Sequence, residues 1–544
     1  MDEPAPAMAV PSGVEGAWAL VARHERSVPP TRRRRHGVHY TPAALAARLV
    51  GEAVAVLGRV PATVLDPSCG AGAFLLAAAD ELHRAGVPAA EVVERRLVGI
   101  ELDPAAAAAA RSALREWAAA HGAGHAGTAR ILSGDARWLG RDWAERPPGG
   151  FDLVVGNPPF LSQLSRRTAR SAVDRERARE RFGAAFGYAD AAALFLAGAM
   201  DLVAEGGVVA MLQPQSVLAA RDTTPVRELL AERGELVALW VGTGRPFEAE
   251  VDVCAPVLRA GPRSSTAAPG GTVRVVAEGP SGAATHRVTL PPAASWAPLL
   301  APVHGLPDLP AAGSAAAGAL GDLASATAGF RDEYYALRDA AVEGGSPSDP
   351  RLVTVGMVEP GWSRWGERPA RLGGRRYTCP RVDLGALAAA SPRVAAWATR
   401  RLVPKVLVAT QTRVVEAAVD AEGDVVPVTP LISVEPHPGV DPWMVAAALL
   451  APPVSVSALA SHLGLGLSPG TLRWSASAVL DQPLPADREL WEAAAERCRA
   501  LAAAEPERRG ELLVELGGLL CRAHGMEPDG EVHRWWVQRL GRRR

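Results

Sequence analysis

The sequence predicts an α/β fold: a mostly parallel seven-stranded sheet with helices on both faces, then an irregular α/β domain and a helical C-terminus. Three features lead there. Between about Gly37 and Ala260, short apolar runs alternate with segments of helix length. Successive runs end in loops that carry glycine or a carboxylate, as strands do where an open α/β sheet binds a ligand. Beyond about residue 320 the texture changes to short β-like runs, frequent prolines and tryptophans at 362, 365, 397, 443 and 474.

In chain order, residues 1–36 read as a flexible basic arm ending in Arg32–Arg35, a run that suits a solvated tail or a contact with phosphates. Buried strands are predicted at Val64–Asp66, Leu97–Leu102, Ala129–Leu132, Phe151–Val155, Val208–Leu212, Leu236–Val241 and Val253–Leu258. Helices are predicted at Ala73–Leu82, Ala105–Ala119 and Ala191–Val203. The last two strands are close enough in sequence to pair antiparallel at a sheet edge. The Ser-, Pro- and Gly-rich stretch Gly261–Gly271 ends a first domain at 37–262. A connecting segment with further strands follows over 263–320, then a second domain at 321–485 and a helical segment at 486–544.

Composition bounds the function. A chain of 544 residues suits two or three domains, and 48% hydrophobic with 22% charged residues suits a globular protein with a large core. No apolar run reaches the roughly 18–20 residues of a membrane helix, and the acidic, proline-rich start does not read as a signal peptide. Cys69, Cys254, Cys379, Cys498 and Cys521 show no metal-ligand spacing, so free thiols in a reducing, cytoplasmic setting are expected, with no metal site. The net charge of −1 excludes a uniformly basic nucleic-acid coat, so any nucleic-acid contact must be local. Lys405 is the only lysine in an arginine-rich chain. Its retention suits a phosphate contact or a packed, buried stem equally.

The loop after the first strand, Asp66-Pro-Ser-Cys-Gly-Ala-Gly-Ala-Phe74, places Pro67, Cys69, Gly70, Gly72 and Phe74 where backbone can approach a ligand closely. The second strand ends at Glu101, placed to accept from ribose hydroxyls, while Asp103 before Pro104 suits a helix cap. The third ends in Gly134-Asp135, a carboxylate able to accept from an adenine amine. Together these point to a nucleoside cofactor. The fourth strand runs into Asn157-Pro158-Pro159-Phe160. Two prolines fix this corner, the asparagine amide and following carbonyl can accept from a planar amine, and Phe160 offers a face for stacking.

Tyr40-Thr41-Pro42, the Asp66–Phe74 loop, Glu101, Gly134-Asp135 and Asn157–Phe160 occur in the order seen in amino-methyltransferases. Over residues 37–260 the chain resembles the N6-adenine DNA methyltransferases of restriction–modification systems, whose target-recognition domain follows the catalytic one. A weaker likeness covers 320–485, including Pro404–Arg413 and Leu467–Leu472. The resemblance implies a Rossmann-like methyltransferase sheet, S-adenosyl-L-methionine as cofactor, and methyl transfer to the N6 amine of an adenine flipped from double-stranded DNA. It implies Thr41 and Pro42 at the cofactor's amino-acid end, Phe160 and Phe247 stacking on the base, and Lys405 and Arg413 on DNA. Phe247 suits an ordinary core position nearly as well.

Two other readings remain. A protein glutamine N5-methyltransferase also carries Asn-Pro-Pro, because a carboxamide nitrogen poses the same chemical problem; such enzymes are usually much shorter. A non-catalytic methylase-like DNA-binding subunit of a defence complex, beside a partner endonuclease, is the other. With about 36 residues ahead of the methylase block, a fused nuclease is not expected.

Overall fold

Val64, Leu65 and Asp66 are all buried, and this short strand, β1, lies inside the main sheet with a parallel neighbour on each side. The protein is seen in a computed structural model that describes residues 14–29, 41–125, 127–160, 172–243, 252–261, 271–279, 282–309, 318–465, 471–472 and 474–541. It forms two compact units, Met1–Leu300 and Ala301–Arg544.

In the first unit the helices are α1 (Glu15–Ser27), α2 (Ala43–Leu57), α3 (Ala73–Arg84), α4 (Pro104–Ala120), α5 (Ala172–Phe182), α6 (Ala191–Leu202) and α7 (Thr224–Arg233). The remaining strands are β2 (Leu97–Glu101), β3 (Arg130–Ser133), β4 (Phe151–Gly156), β5 (Val203–Met211), β6 (Gln213–Pro214), β7 (Gly234–Gly242), β8 (Val253–Ala260), β9 (Thr272–Gly279) and β10 (Gly282–Thr289). Their order is β10-β9-β7-β8-β5-β4-β1-β2-β3, with β6 paired to β8. From β5 through β4, β1 and β2 to β3 every neighbour is parallel, and the strands read as continuous apolar runs because helices cover both faces.

The seven expected strands are present, the further strands expected over 263–320 are β9 and β10, and the described residues add β6. Three expectations are corrected. β7 and β8 are antiparallel but do not form the edge: β8 lies between β5 and β7, and β7 pairs in parallel with β9. The first unit does not end at 262: the further strands expected over 263–320, β9 and β10, extend its sheet, and it runs on to Leu300. Nor is the N-terminal region a flexible arm throughout. Ala17, Trp18 and Val21 share one face of α1, are buried, and seat it on α4. Arg32–Arg35 and Tyr40 lie outside the described residues.

Helix starts follow their local chemistry. Asp103 caps α4, accepting from the Ala105 and Ala106 amides, with Pro104 at the first helical position. α3 starts from Gly72, whose φ of 100° only glycine adopts readily.

The second unit holds two four-stranded sheets. One is Ala324–Ala328, Ile432–Pro436, Lys405–Val408 and Ala417–Asp420; the other is Ala341–Glu343, Pro380–Val382, Arg351–Val353 and Val425–Pro427. Residues 486–544 do not stand apart from it. The helix Arg488–Ala503 docks Trp491, whose indole Nε1 donates to the Met444 carbonyl at 2.9 Å. Among the described residues no single helix is long and apolar enough to cross a membrane.

Candidate cofactor and target-base site

The carboxyl ends of β1, β2 and β4 open onto one cavity of about 480 Å³, within the range of sites that hold a small molecule. Its organiser is Glu101. One carboxylate oxygen accepts from the Gly70 amide at 2.9 Å and the other from the Asp103 amide at 2.7 Å. The Glu101 carbonyl takes the Gly134 amide at 3.2 Å, and the Cys69 amide reaches the Ile100 carbonyl at 3.0 Å. The loops after β1, β2 and β3 are thereby tied to one residue.

Asp66 forms the floor. It is 1% exposed, accepts from the Ser68 amide at 3.0 Å, and burial pushes its pKa up to about 8, with the Glu101 charge adding to the rise. Gly156 has to be glycine for this carboxyl to fit, since a Cβ there would stand 2.6 Å from Asp66 Oδ1. Ser68 Oγ is buried and has no hydrogen-bond partner among the described residues. A buried hydroxyl facing a cavity is costly unless a ligand or water completes it.

Of the expected cofactor residues, Thr41, Asp66, Pro67, Cys69, Gly70, Phe74, Glu101 and Asp135 line the cavity. Gly72 and Pro42 do not. Gly72 serves helix packing, where a Cβ would press on Ala110 Cβ at 3.3 Å. Pro42 starts α2. Asp135 is placed as expected but occupied otherwise. Arg137 grips it through Nη2–Oδ2 at 2.6 Å and Nε–Oδ1 at 3.0 Å, and Trp138 Nε1 donates at 3.0 Å. With the Arg137 amide also on Oδ1 at 3.2 Å, its acceptor capacity is spent inside the protein, which corrects its assignment to an adenine amine.

Asn157 and Pro159 line the same cavity; Pro158 and Phe160 do not. Asn157 Nδ2 donates to Thr41 Oγ1 at 3.0 Å, joining the end of β4 to the start of α2. Phe160 is half-buried against the main hydrophobic cluster. Phe247 lies outside the described residues. The sequence reading missed His24, Glu25 and Val28, which α1 brings to the wall, and Arg137 and Phe195. The apolar spacing in α1 was the available signal. The carboxylates of Glu25, Glu101, Asp103 and Asp135 outnumber the cationic Arg137 around the cavity, while the raised pKa keeps Asp66 largely protonated at neutral pH; the balance suits a ligand carrying positive charge.

Of the two residues expected on DNA, Lys405 is excluded. It is fully buried, and its ammonium donates to Asp420 at 2.5 Å and to the Val403 carbonyl at 3.2 Å. Asp420 also accepts the Gly423 and Val425 amides, so the pair is an internal brace of its sheet. Arg413 is exposed, and its carbonyl accepts from Arg539.

Residues 27–240 match the sequence model of the N-6 DNA methylase family, which bears out the resemblance read from the motifs. Among solved structures, the type IIL restriction-modification enzyme MmeI, in complex with DNA, is 12% identical. That alignment covers 97% of this chain and 76% of MmeI, with a TM-score of 0.55. DrdV, in a DrdV–DNA complex, is 13% identical over 90% of this chain and 59% of DrdV, with a TM-score of 0.52. At such identities the likeness is one of fold.

Proposed function

We propose that this chain, whose residues 27–240 match the N-6 DNA methylases, transfers a methyl group from S-adenosyl-L-methionine to the N6 amine of adenine in double-stranded DNA, as part of a restriction–modification or related defence system. The observation that carries the reading is the meeting of Asn157 with Asp66 and Glu101 in one cavity, so that an amine at Asn157 and a nucleoside at Glu101 share a single space. The orphaned Ser68 hydroxyl, the acidic wall and the cavity volume all fit this cofactor.

The cofactor supplies a methyl group on a sulfonium sulfur, electrophilic without further activation. Glu101 holds the ribose and the Asp66–Phe74 loop the amino-acid end, together with Thr41. The adenine amine is conjugated with its ring and is a poor nucleophile. Acceptance of its hydrogens by the Asn157 amide oxygen and the Pro158 carbonyl concentrates electron density on nitrogen. Alignment does the rest. Asn157 and the Pro158 carbonyl would hold the amine in line with the sulfonium methyl, so that the C–S electron pair would stay on sulfur as the N–C bond forms and the proton released from nitrogen would pass to solvent. A base inside a duplex cannot reach such a pocket, so the adenine is flipped and stacks on Phe160. Residues 321–485 supply sequence recognition, since the catalytic loops carry no base-specific code.

The test is to incubate the purified chain with S-adenosyl-L-methionine and unmethylated genomic DNA, then quantify methylated nucleosides by mass spectrometry. N6-methyladenine in a fixed sequence context supports the reading. Methylation of a release-factor glutamine with adenine untouched overturns it.

A further inference from the structure

Residues 368–377 of the second unit form a tight ribbon. Ala370–Leu372 and Arg375–Tyr377 pair antiparallel, joined by Gly373 and Gly374 at φ of 57° and 84°. Two successive positive φ angles make the two-residue turn that matches strand twist, and glycine is what permits them. Ala370, Leu372 and Tyr377 are buried, which fixes the inner face. The tip is seated too: the Gly373 amide donates to the Tyr334 hydroxyl at 3.2 Å, and a Cβ on Gly373 would fall 2.1 Å from Arg338 Cδ.

The outer face has an unusual composition. Arg371 and Arg376 are directly opposed on it; Arg375 beside the turn pairs with Leu372, so it belongs to the other face by register yet is exposed, and Arg368 stands just before the first strand. All four are exposed, and none makes an ion pair among the described residues. Like charges directly opposite on a two-stranded ribbon are destabilising. In a chain of net charge −1, whose other arginines are repeatedly matched with carboxylates, such a pair lacks its counter-charge within the fold.

We propose that this arginine ribbon is a phosphate-binding surface for double-stranded DNA, with Arg371 and Arg376 at its centre. The inference rests on the DNA-methyltransferase reading. A rigid ribbon suits the task because the guanidinium groups are presented on an ordered support, and arginine's planar fork matches phosphate oxygens. Phosphate contacts position a protein on the duplex without reading sequence.

The experiment measures binding of the full chain to fluorescent duplexes of two unrelated sequences by anisotropy, across a salt series. It compares wild type, Arg371→Ala/Arg376→Ala, and the control Arg488→Ala, an exposed arginine already paired with Glu492. The double variant should bind both duplexes more weakly by about tenfold or more, with the slope of log affinity against log salt reduced by about 2, one counterion-release increment per contact. Melting temperature and calorimetric S-adenosyl-L-methionine affinity should stay at wild-type values or better, which separates lost contacts from lost folding. Unchanged affinity and slope, with wild type binding duplex DNA, would overturn the ribbon assignment alone. A loss confined to one duplex would overturn it too, since that is base readout. Loss of binding to RNA with duplex DNA unaffected would do the same. Wild type that binds S-adenosyl-L-methionine but no duplex at low salt overturns the DNA reading itself.

Discussion

Asn157 and Thr41, 116 positions apart, are joined by a single 3.0 Å hydrogen bond from the Asn157 amide nitrogen to the threonine hydroxyl. The bond commits the amide nitrogen to Thr41, and the amide oxygen is the end that the proposed function assigns to the adenine amine. Thr41→Val removes this restraint without emptying the cofactor wall. Asn157→Ala removes the acceptor itself. Expected is near-normal cofactor affinity in Asn157→Ala and a modest loss in Thr41→Val, with methyl transfer at saturating cofactor reduced by roughly a hundredfold or more in Asn157→Ala and by less in Thr41→Val. Single-turnover rates beside calorimetry check the order; equal losses would mean that Thr41 does more than orient.

The proposed function gives Phe160 the flipped base and Asn157 the amine, and the two roles separate experimentally. Phe160→Ala should lower both DNA affinity and turnover, since base–aromatic stacking is worth roughly 1–3 kcal/mol, and Phe160→Tyr or Trp should keep part of the activity. Duplexes with the target adenine mismatched flip at lower cost. Mismatching should therefore restore activity to Phe160→Ala but little to Asn157→Ala. Equal recovery in the two variants would show that they do not divide the work in this way.

Asp66 makes the empty protein pH-sensitive. Its carboxyl titrates near 3.8 in the unfolded chain and at about 8 in the folded one, raised chiefly by burial. Below the lower value both states hold the proton and nothing is lost. Between the two values the unfolded chain releases a proton that the folded chain keeps, so stability falls as pH rises, and the loss levels off above about 8. Asp66→Asn should lack this slope, because an amide oxygen keeps the Ser68 amide bond without titrating. Denaturant midpoints from pH 4 to 9 give the comparison; parallel curves would count against it.

Glu101 braces Gly70 and Asp103, and the proposed function also gives it the ribose. Glu101→Gln keeps one amide acceptor and should weaken cofactor binding with a modest stability loss. Glu101→Ala should lose both, with cofactor binding abolished in calorimetry. Wild-type binding in both variants would remove Glu101 from the cofactor site.

Lys405 gives a prediction of the opposite kind. Lys405→Met removes the close cation of the buried Asp420 carboxylate and leaves, among the described residues, only Arg351 at 3.7 Å; breaking a buried pair typically costs about 3–5 kcal/mol. Thermal melting should show the second unit destabilised, while cofactor binding by the first unit is unchanged. A stable variant with selectively weakened DNA binding would reinstate the phosphate contact.

What was legible in the sequence was local. β1 and the Asp66 loop, the Asp103 cap and the Asn157–Phe160 corner are each specified by adjacent residues, where chain chemistry acts through a few bonds. What was missed depends on who meets whom. Arg137 sits two residues from Asp135, yet its grip depends on the turn of chain that follows β3. The seat of α1 needs α4, nearly a hundred positions on, to exist first. Lys405 is the instructive case: its partner Asp420 faces it across an antiparallel pair, and reading residues 409–416 as the connection between two paired strands would have set them opposite each other. Composition posed the question about that lysine and only register could answer it.

The position of β1 has a consequence for how the chain assembles as it is made. Its parallel neighbours are β2, whose register begins at Leu97, and β4, which begins at Phe151 and ends at Gly156. Parallel pairing closes long loops before it gains anything, so it is slow and leaves edges open meanwhile. During synthesis β1 can gain its first neighbour after about a hundred residues, but its other edge stays bare until β4 has emerged. Gly156, which leaves room for the Asp66 carboxyl, arrives at the end of that wait. A nascent chain halted anywhere between β2 and β4 therefore holds a half-built glycine loop beside an unpaired apolar edge. Such a stretch is the one in which a chaperone would do most for the yield of folded protein.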